Sequence, residues 1–185
     1  MNHFQNILVG IDLGTHVEEL SGALSPPNQE AVDRGIALAE KNGARLCFIS
    51  VLDAGDTTRR LIHDAHGDTS NVFDEAHALL GQLATRAKQR GISTEVRVLM
   101  GKSWLKLVRE VMKHHHDLII FGSTAIKLLR KCPCPVWVTR PSDGLPLTSV
   151  LVAHDLRAVG RHALRLGIEL ARSGDLQLFV LHAIE

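Results

Sequence analysis

Short, unbroken apolar runs alternate along the chain with longer stretches whose apolar residues recur at helical spacing. The first run is Ile7-Leu8-Val9-Gly10-Ile11, inside Asn6 to Asp12. A run of this length without polar alternation reads as a parallel strand covered on both faces. Residues 14–27 are loop-like and end in Ser25-Pro26-Pro27. Asn28 then reads as the cap of a helix whose apolar face is Ala31, Val32, Ile36, Leu38 and Ala39, stopped by Asn42-Gly43. Arg45 to Leu52 is a second buried strand. Residues 53–70 are polar, with room for a short helix. Ser70 or Asn71 opens a long helix through Val72, Ala76, Leu79, Leu80, Leu83, Ala84 and Ala87, closed by Arg90-Gly91.

The pattern then repeats its alternation. Thr94 to Met100 reads as a third strand, and Gly101-Lys102-Ser103 turns into a helix carrying Leu105, Val108, Val111 and Met112. Asp117 to Phe121, a brief helix over Ser123 to Lys131, and Val136 to Thr139 complete the series. Strand and helix in strict alternation predict an α/β fold, a doubly wound parallel sheet with helices on both faces. Right-handed crossovers leave few topologies for it.

A second start follows Arg140-Pro141-Ser142-Asp143-Gly144-Leu145-Pro146, a stretch with the composition of a linker. Leu8-Val9 and Asp12-Leu13 match Leu151-Val152 and Asp155-Leu156. Gly35-Ile36-Ala37-Leu38-Ala39 matches Gly167-Ile168-Glu169-Leu170-Ala171, and Leu46 aligns with Leu178. The expected organisation is a domain over residues 1–140, a linker over 141–148, and the start of a second, incomplete copy over 149–185. A β-α-β unit is too small to hold a core by itself.

Composition narrows the function. Of 185 residues, 45% are apolar, enough for a real core, and the formal net charge is +1. Basic and acidic residues are interspersed, so no footprint for nucleic acid or an anionic membrane is present. No apolar run approaches the roughly 20 residues of a membrane helix, and Met1 to Asn6 lacks the build of a secretory signal. Three cysteines, Cys47, Cys132 and Cys134, are too few for a disulfide scaffold and point to a reducing, cytoplasmic setting.

Several motifs invite chemistry, and each has a plainer reading beside it. Gly101-Lys102-Ser103 lies between strand and helix like the end of a P-loop, but the glycine required five positions earlier is Val96, inside a strand. The bland reading is a turn with Ser103 near the helix cap. His114-His115-His116 suggests a metal, yet neighbours on a helix point about 100° apart and share one tetrahedral site poorly. A helix C-terminus favours such residues anyway. His63, His66 and His77 near Asp64, Asp68 and Asp74 read as a solvated surface. Cys132-Pro133-Cys134 lacks the Cys-x-x-Cys redox spacing and reads as packing at the entry to strand five. No metal site is expected. No Ser-His-Asp order or paired carboxylates can be defended, so no enzyme is expected.

Four blocks together resemble a known family. Ile7-Leu8-Val9-Gly10-Ile11-Asp12 resembles the first strand of universal stress proteins. Met100-Gly101-Lys102-Ser103-Trp104, Asp117-Leu118-Ile119-Ile120 and Leu128-Leu129-Arg130-Lys131-Cys132-Pro133-Cys134-Pro135-Val136-Trp137-Val138 resemble its later blocks, the last in its tandem-domain members. The resemblance implies a five-stranded parallel sheet of order 3-2-1-4-5. It implies ATP or AMP as ligand in some members, and self-association through the fifth strand, here the edge Pro135 to Arg140. It implies a stress-response role without established catalysis.

By that resemblance Asp12 and Val51 take the positions that hold adenosine. A carboxylate at a strand's carboxyl end can accept a ribose hydroxyl. Equally, Asp12 can cap a loop by bonding nearby amides. The family's phosphate loop is a Gly, two residues, a Gly, nine residues, then Gly-Ser or Gly-Thr, which lets backbone amides approach phosphates. Counting from Gly122 as the first glycine puts Ala125 and Pro135 at the other two positions. Taking Gly122-Ser123 as the final pair leaves most of the loop absent. Gly122, Ser123 and Thr124 are then either a reduced anion site or a plain helix cap by Ser123. The leading expectation is a non-catalytic stress-response module that binds an adenine nucleotide and acts through association. The alternatives are a purely structural interaction module and, third, a weak ATP hydrolase.

Overall fold

The computed structural model describes residues 4–13, 24–52, 69–122, 126–142 and 145–182. The chain divides into two compact units, one over Phe4–Pro141 and one from Ser142 onward. In the first, β1 (Asn6–Ile11), β2 (Arg45–Leu52), β3 (Thr94–Met100), β4 (Leu118–Phe121) and β5 (Val136–Val138) alternate with α1 (Pro26–Asn42), α2 (Thr69–Lys88), α3 (Ser103–His114) and α4 (Ile126–Lys131). The strands form one sheet of order β3-β2-β1-β4-β5, and every pairing is parallel. The fold expected from the sequence is therefore the fold observed. A short helix within residues 53–68 lies outside the described residues.

Alternation along the strands sorts the side chains between two layers. Gly35 of α1 meets Val9, Leu46 and Ile120, so α1 covers that face. Salt bridges Arg86–Asp33 and Arg90–Glu40 bring α2 and the turn after it alongside α1. Leu8, Cys47, Ile49, Ile119 and Phe121 point the other way and pack with Leu107, Val111 and Leu128 from α3 and α4. Ile7, Leu8, Val9, Phe48, Ile49, Ile119 and Ile120 are sealed from solvent. Each such side chain contributes about 1.5–3 kcal/mol relative to an exposed one, which is why the unbroken runs were visible as strands.

Two local expectations are corrected. Asn28 does not cap α1: the cap is Ser25, which makes no side-chain cap bond, and Pro26-Pro27 occupy the first helical positions. Proline suits those positions because their N–H groups have no partner in a helix. Gly43 ends α1 in the left-handed conformation, φ 60°, as expected of a glycine stop. On α3, Met112 is 62% exposed, and the buried face is Leu107, Glu110 and Val111. Those residues sit at i, i+3 and i+4, and a glutamate among them disguised the inward face.

The second unit repeats the opening of the first. β6 (Ser149–Ala153), α5 (Ala158–Gly174) and β7 (Gln177–Leu181) form a β-α-β unit with a parallel pair registered Val152↔Val180. Gly167 of α5 meets Val152 and Leu178 as Gly35 meets Val9 and Leu46. The duplication thus extends to the same helix–strand contact. No helix among the described residues is long and apolar enough to cross a membrane.

Candidate functional site

Order β3-β2-β1-β4-β5 reverses direction between β1 and β4, and an open parallel sheet forms its ligand crevice at the carboxyl ends of such strands. Asp12 lies there, one residue beyond the Ile11↔Ser50 pair that ends the β1–β2 ladder, and it is exposed. Val51 follows Ser50 on β2, so the two positions expected from the resemblance to face adenosine lie side by side across neighbouring strands. The Val51 side chain packs partly against the Leu107–Ile119 cluster. It can offer a ligand its backbone and one flank.

The amino end of α1 closes the same crevice. Asn28 is 2% exposed. Its amide nitrogen donates to the Asp12 carbonyl, and its amide oxygen accepts from the Asp12 N–H at 3.3 Å. The Thr139 hydroxyl, just past β5, donates to the Pro27 carbonyl at 3.2 Å. Thr139 N–H continues the ladder to Phe121 at 3.0 Å. The ends of β1, β4 and β5 are in this way tied to one helical turn. A helix N-terminus carries a partial positive charge, about half an elementary charge, but here Pro26 and Pro27 have no N–H and that of Gln29 bonds the Ser25 carbonyl, so Asn28 is the first residue of the turn with an N–H to offer.

Gly122 is buried against that turn. A Cβ on it would stand 2.3 Å from the Pro27 carbonyl oxygen and 2.7 Å from Asn28 N. Its bare α-carbon is needed for the approach of β4 to α1. Ser123 and Thr124 lie outside the described residues. The structure therefore brings together Asp12, Val51 and Gly122, and adds Pro27, Asn28 and Thr139. Sequence reading missed these three because their role depends on contacts over long separations. Asn28 was noticed only as a cap.

In the second unit the matching aspartate works as a loop cap. Asp155 Oδ1 accepts from Arg157 N–H at 2.9 Å and Gly160 N–H at 3.2 Å. Those amide donors hold its carboxyl below the usual range. The duplicated aspartates thus have different surroundings.

Cys132 and Cys134 pack at the entry to β5, as expected, with their Sγ atoms 3.5 Å apart. The Cys134 thiol bonds Cys132 and draws its thiol down to about 7, and the same bond pushes Cys134 up.

The first unit is an open, doubly wound α/β sheet whose switch-point crevice is floored by strand ends and backed by a helix N-terminus. The chain belongs to the universal stress protein family, whose profile matches residues 3–123. It is similar to universal stress protein E of Photorhabdus laumondii, 29% identical over 173 residues, covering 84% of this chain and 52% of that protein. The chain thus spans about half the length of the curated relatives it matches first. Among solved structures, a universal stress protein family member from Burkholderia pseudomallei is 25% identical with TM-score 0.56, over 75% of this chain and 97% of that one. A putative universal stress protein from Pseudomonas aeruginosa UCBPP-PA14 is 20% identical with TM-score 0.64, over 95% of this chain and 60% of that one.

Proposed function

We propose that the chain is a non-catalytic stress-response module that holds an adenine nucleotide beside Asp12 and acts through association. The observation that carries this reading is the crevice itself: Asp12 and Val51 adjacent at the switch point, with the α1 N-terminus fastened behind them. A ribose hydroxyl can donate to the Asp12 carboxylate, and the helix terminus favours an anionic group. Two solved members of the same fold are complexes, one with cAMP and one, from Archaeoglobus fulgidus, with dAMP. Gly122 serves here to shape the crevice wall. Equilibrium binding of ATP and AMP to the purified protein is the test. Micromolar binding lost in Asp12→Ala supports the reading, and no binding at millimolar nucleotide overturns it.

A second reading, an interaction module that takes no nucleotide, rests on the position of β5. It is the terminal strand of the sheet, and Val138 on it is 37% exposed. An edge strand with free backbone groups invites pairing with another copy. Sizing in solution separates the outcomes: a strict monomer counts against association through Pro135 to Arg140.

A further inference from the structure

At the opposite, amino-terminal edge of the same sheet lies a group of residues that neither reading uses. Cys47 and Ile49 on β2 pair with Glu95 and Arg97 on β3, and all four point toward α3. From α3, Glu110 and His114 reach back one turn apart, and His116 follows the left-handed His115 that ends the helix. Cys47, Glu110 and His116 are 3%, 6% and 7% exposed. Their Sγ, carboxylate oxygen and ring nitrogen lie within 4.8 Å of one another.

The cluster is polar and buried, and the Arg97 guanidinium is the cation that faces its carboxylate and thiol. Both ring nitrogens of His116 are shut off from water, and the backbone of Asn6 is the group that faces the ring, at poor hydrogen-bond geometry. A desolvated imidazole in that state is unfavourable by itself. Burial holds its pKa below the usual histidine range, so the ring is a neutral lone-pair donor. The Cys47 thiol has a long 3.9 Å contact to the Phe48 carbonyl and the Arg97 guanidinium beside it, and burial outweighs that cation and pushes the thiol up to about 12. Glu110 Oε1 lies 2.8 Å from Arg97 Nη1, at an angle that makes no hydrogen bond. A cleft of about 60 Å³, lined in part by Arg45, Cys47, Glu95, Arg97, His114 and His116, opens beside them.

We propose that Cys47, Glu110 and His116 form a binding site for one divalent cation of the zinc class, entered from this cleft. Sulfur, imidazole and carboxylate are the donor set that such a borderline-soft ion takes. Bonds of about 2.0–2.3 Å to a tetrahedral ion set ligand atoms roughly 3.3–3.8 Å apart. The cluster must therefore contract by up to about 1.5 Å. On entry the Cys47 thiol gives its proton to solvent and its sulfur becomes the thiolate ligand, which makes uptake proton-releasing. Arg97 withdraws from Glu110 but keeps Glu95 Oε2 at 2.7 Å and its contact with His114, so no cation is stranded. The fourth position faces the cleft and water. The three histidines in a row do not share an ion: only His116 takes part, joined by residues from β2 and α3.

Cobalt(II) is the probe, because a thiolate ligand gives it an intense near-ultraviolet charge-transfer band. The reduced 185-residue chain is first changed to Cys132→Ser/Cys134→Ser, leaving Cys47 as its sole thiol. The expected result is a one-to-one cobalt complex with that band, displaced by zinc. The band is expected to vanish in the further variant Cys47→Ser, and affinity to fall at least tenfold in His116→Gln. No band in the single-thiol protein, or an undiminished band without Cys47, overturns the proposal. If Cys47→Ser does not fold, X-ray absorption of the zinc-loaded single-thiol protein decides. One sulfur neighbour at about 2.3 Å supports the site, and a shell of nitrogen and oxygen only overturns it.

Discussion

Asn28 holds the backbone of Asp12 from both sides, accepting from its N–H and donating to its carbonyl. One side chain near the start of α1 thus replaces the sheet partners that β1 loses where its ladder ends. Asn28→Ala strands a buried donor and acceptor, at about 1–3 kcal/mol. Asn28→Asp keeps the shape but loses the donor, and sets a carboxylate against the Asp12 carbonyl. Urea unfolding is expected to show both variants destabilised, with nucleotide binding weakened in step if the proposed crevice is used.

Glycine requirements give a second, paired test. Gly122→Ala forces a Cβ into the Pro27 carbonyl and Asn28 nitrogen, which are backbone atoms and cannot rotate away. A loss of at least 1–3 kcal/mol, about the scale of overpacking a core, is expected. Gly81 lies inside α2 with nothing within 4 Å of an added Cβ. Gly81→Ala is expected to stabilise by about 0.5–1 kcal/mol, from helix propensity and a less free unfolded chain. Thermal midpoints moving in the same direction for both would contradict the packing described.

How much of this was readable beforehand follows from the physics of each part. The sheet was legible because its central strands are buried on both faces, so Ile7 to Ile11 and Leu118 to Phe121 carry uninterrupted apolar runs. The duplication was legible because Gly35 and Gly167 each lie where a strand valine, Val9 or Val152, leaves no room for a side chain. The crevice was half legible: Asp12 shows its place at a strand end, while Pro27 and Thr139 meet across 112 positions. The cluster at the other edge was hidden, since a glutamate in a helix normally signals solvent. Its pairing with Arg97, with His114 also alongside, lets Glu110 face the core.

That pairing makes a third prediction. Arg97→Met leaves the Glu110 carboxylate buried without its cation. Breaking a fully buried pair costs about 3–5 kcal/mol. The Arg97 side chain is 25% exposed, so water recovers part of this, and about 2–3 kcal/mol is expected. Glu110→Leu together with Arg97→Met removes both charges and is expected to recover most of the loss. A double-mutant cycle by denaturant unfolding measures the coupling. Additive single effects would mean that the two charges do not depend on each other.

The three thiols are expected to react in a fixed order. Cys132, drawn down to about 7 by the Cys134 thiol, is about half thiolate at neutral pH. Cys134 is pushed up by the same bond. Cys47 is buried, with a pKa raised to about 12, and carries almost no thiolate. A short iodoacetamide pulse at pH 7, read by peptide mass, should label Cys132 first, Cys134 after it and Cys47 last. Lowering the pH to 5 should slow Cys132 about fiftyfold, since its thiolate fraction falls from about one half to about one hundredth two units below its pKa. Equal labelling of Cys132 and Cys134 at pH 7 would show that the bond between them does not set their reactivity.

Association through β5 is tested on the strand itself. Val136, Trp137 and Val138 pair with β4 on one side only, at Ile119, Ile120 and Phe121. If two copies join along the free side, a charge on the exposed Val138 disfavours the joined state by repulsion and desolvation. The same change leaves the β4 ladder intact, because side chains stand out of the sheet plane while the ladder is backbone. Val138→Lys is therefore expected to shift the protein toward monomer by light scattering while its unfolding midpoint, extrapolated to low concentration, stays within about 0.5 kcal/mol of the parent's stability. A monomeric parent would remove the association reading, and an unchanged dimer in Val138→Lys would move the interface away from this strand.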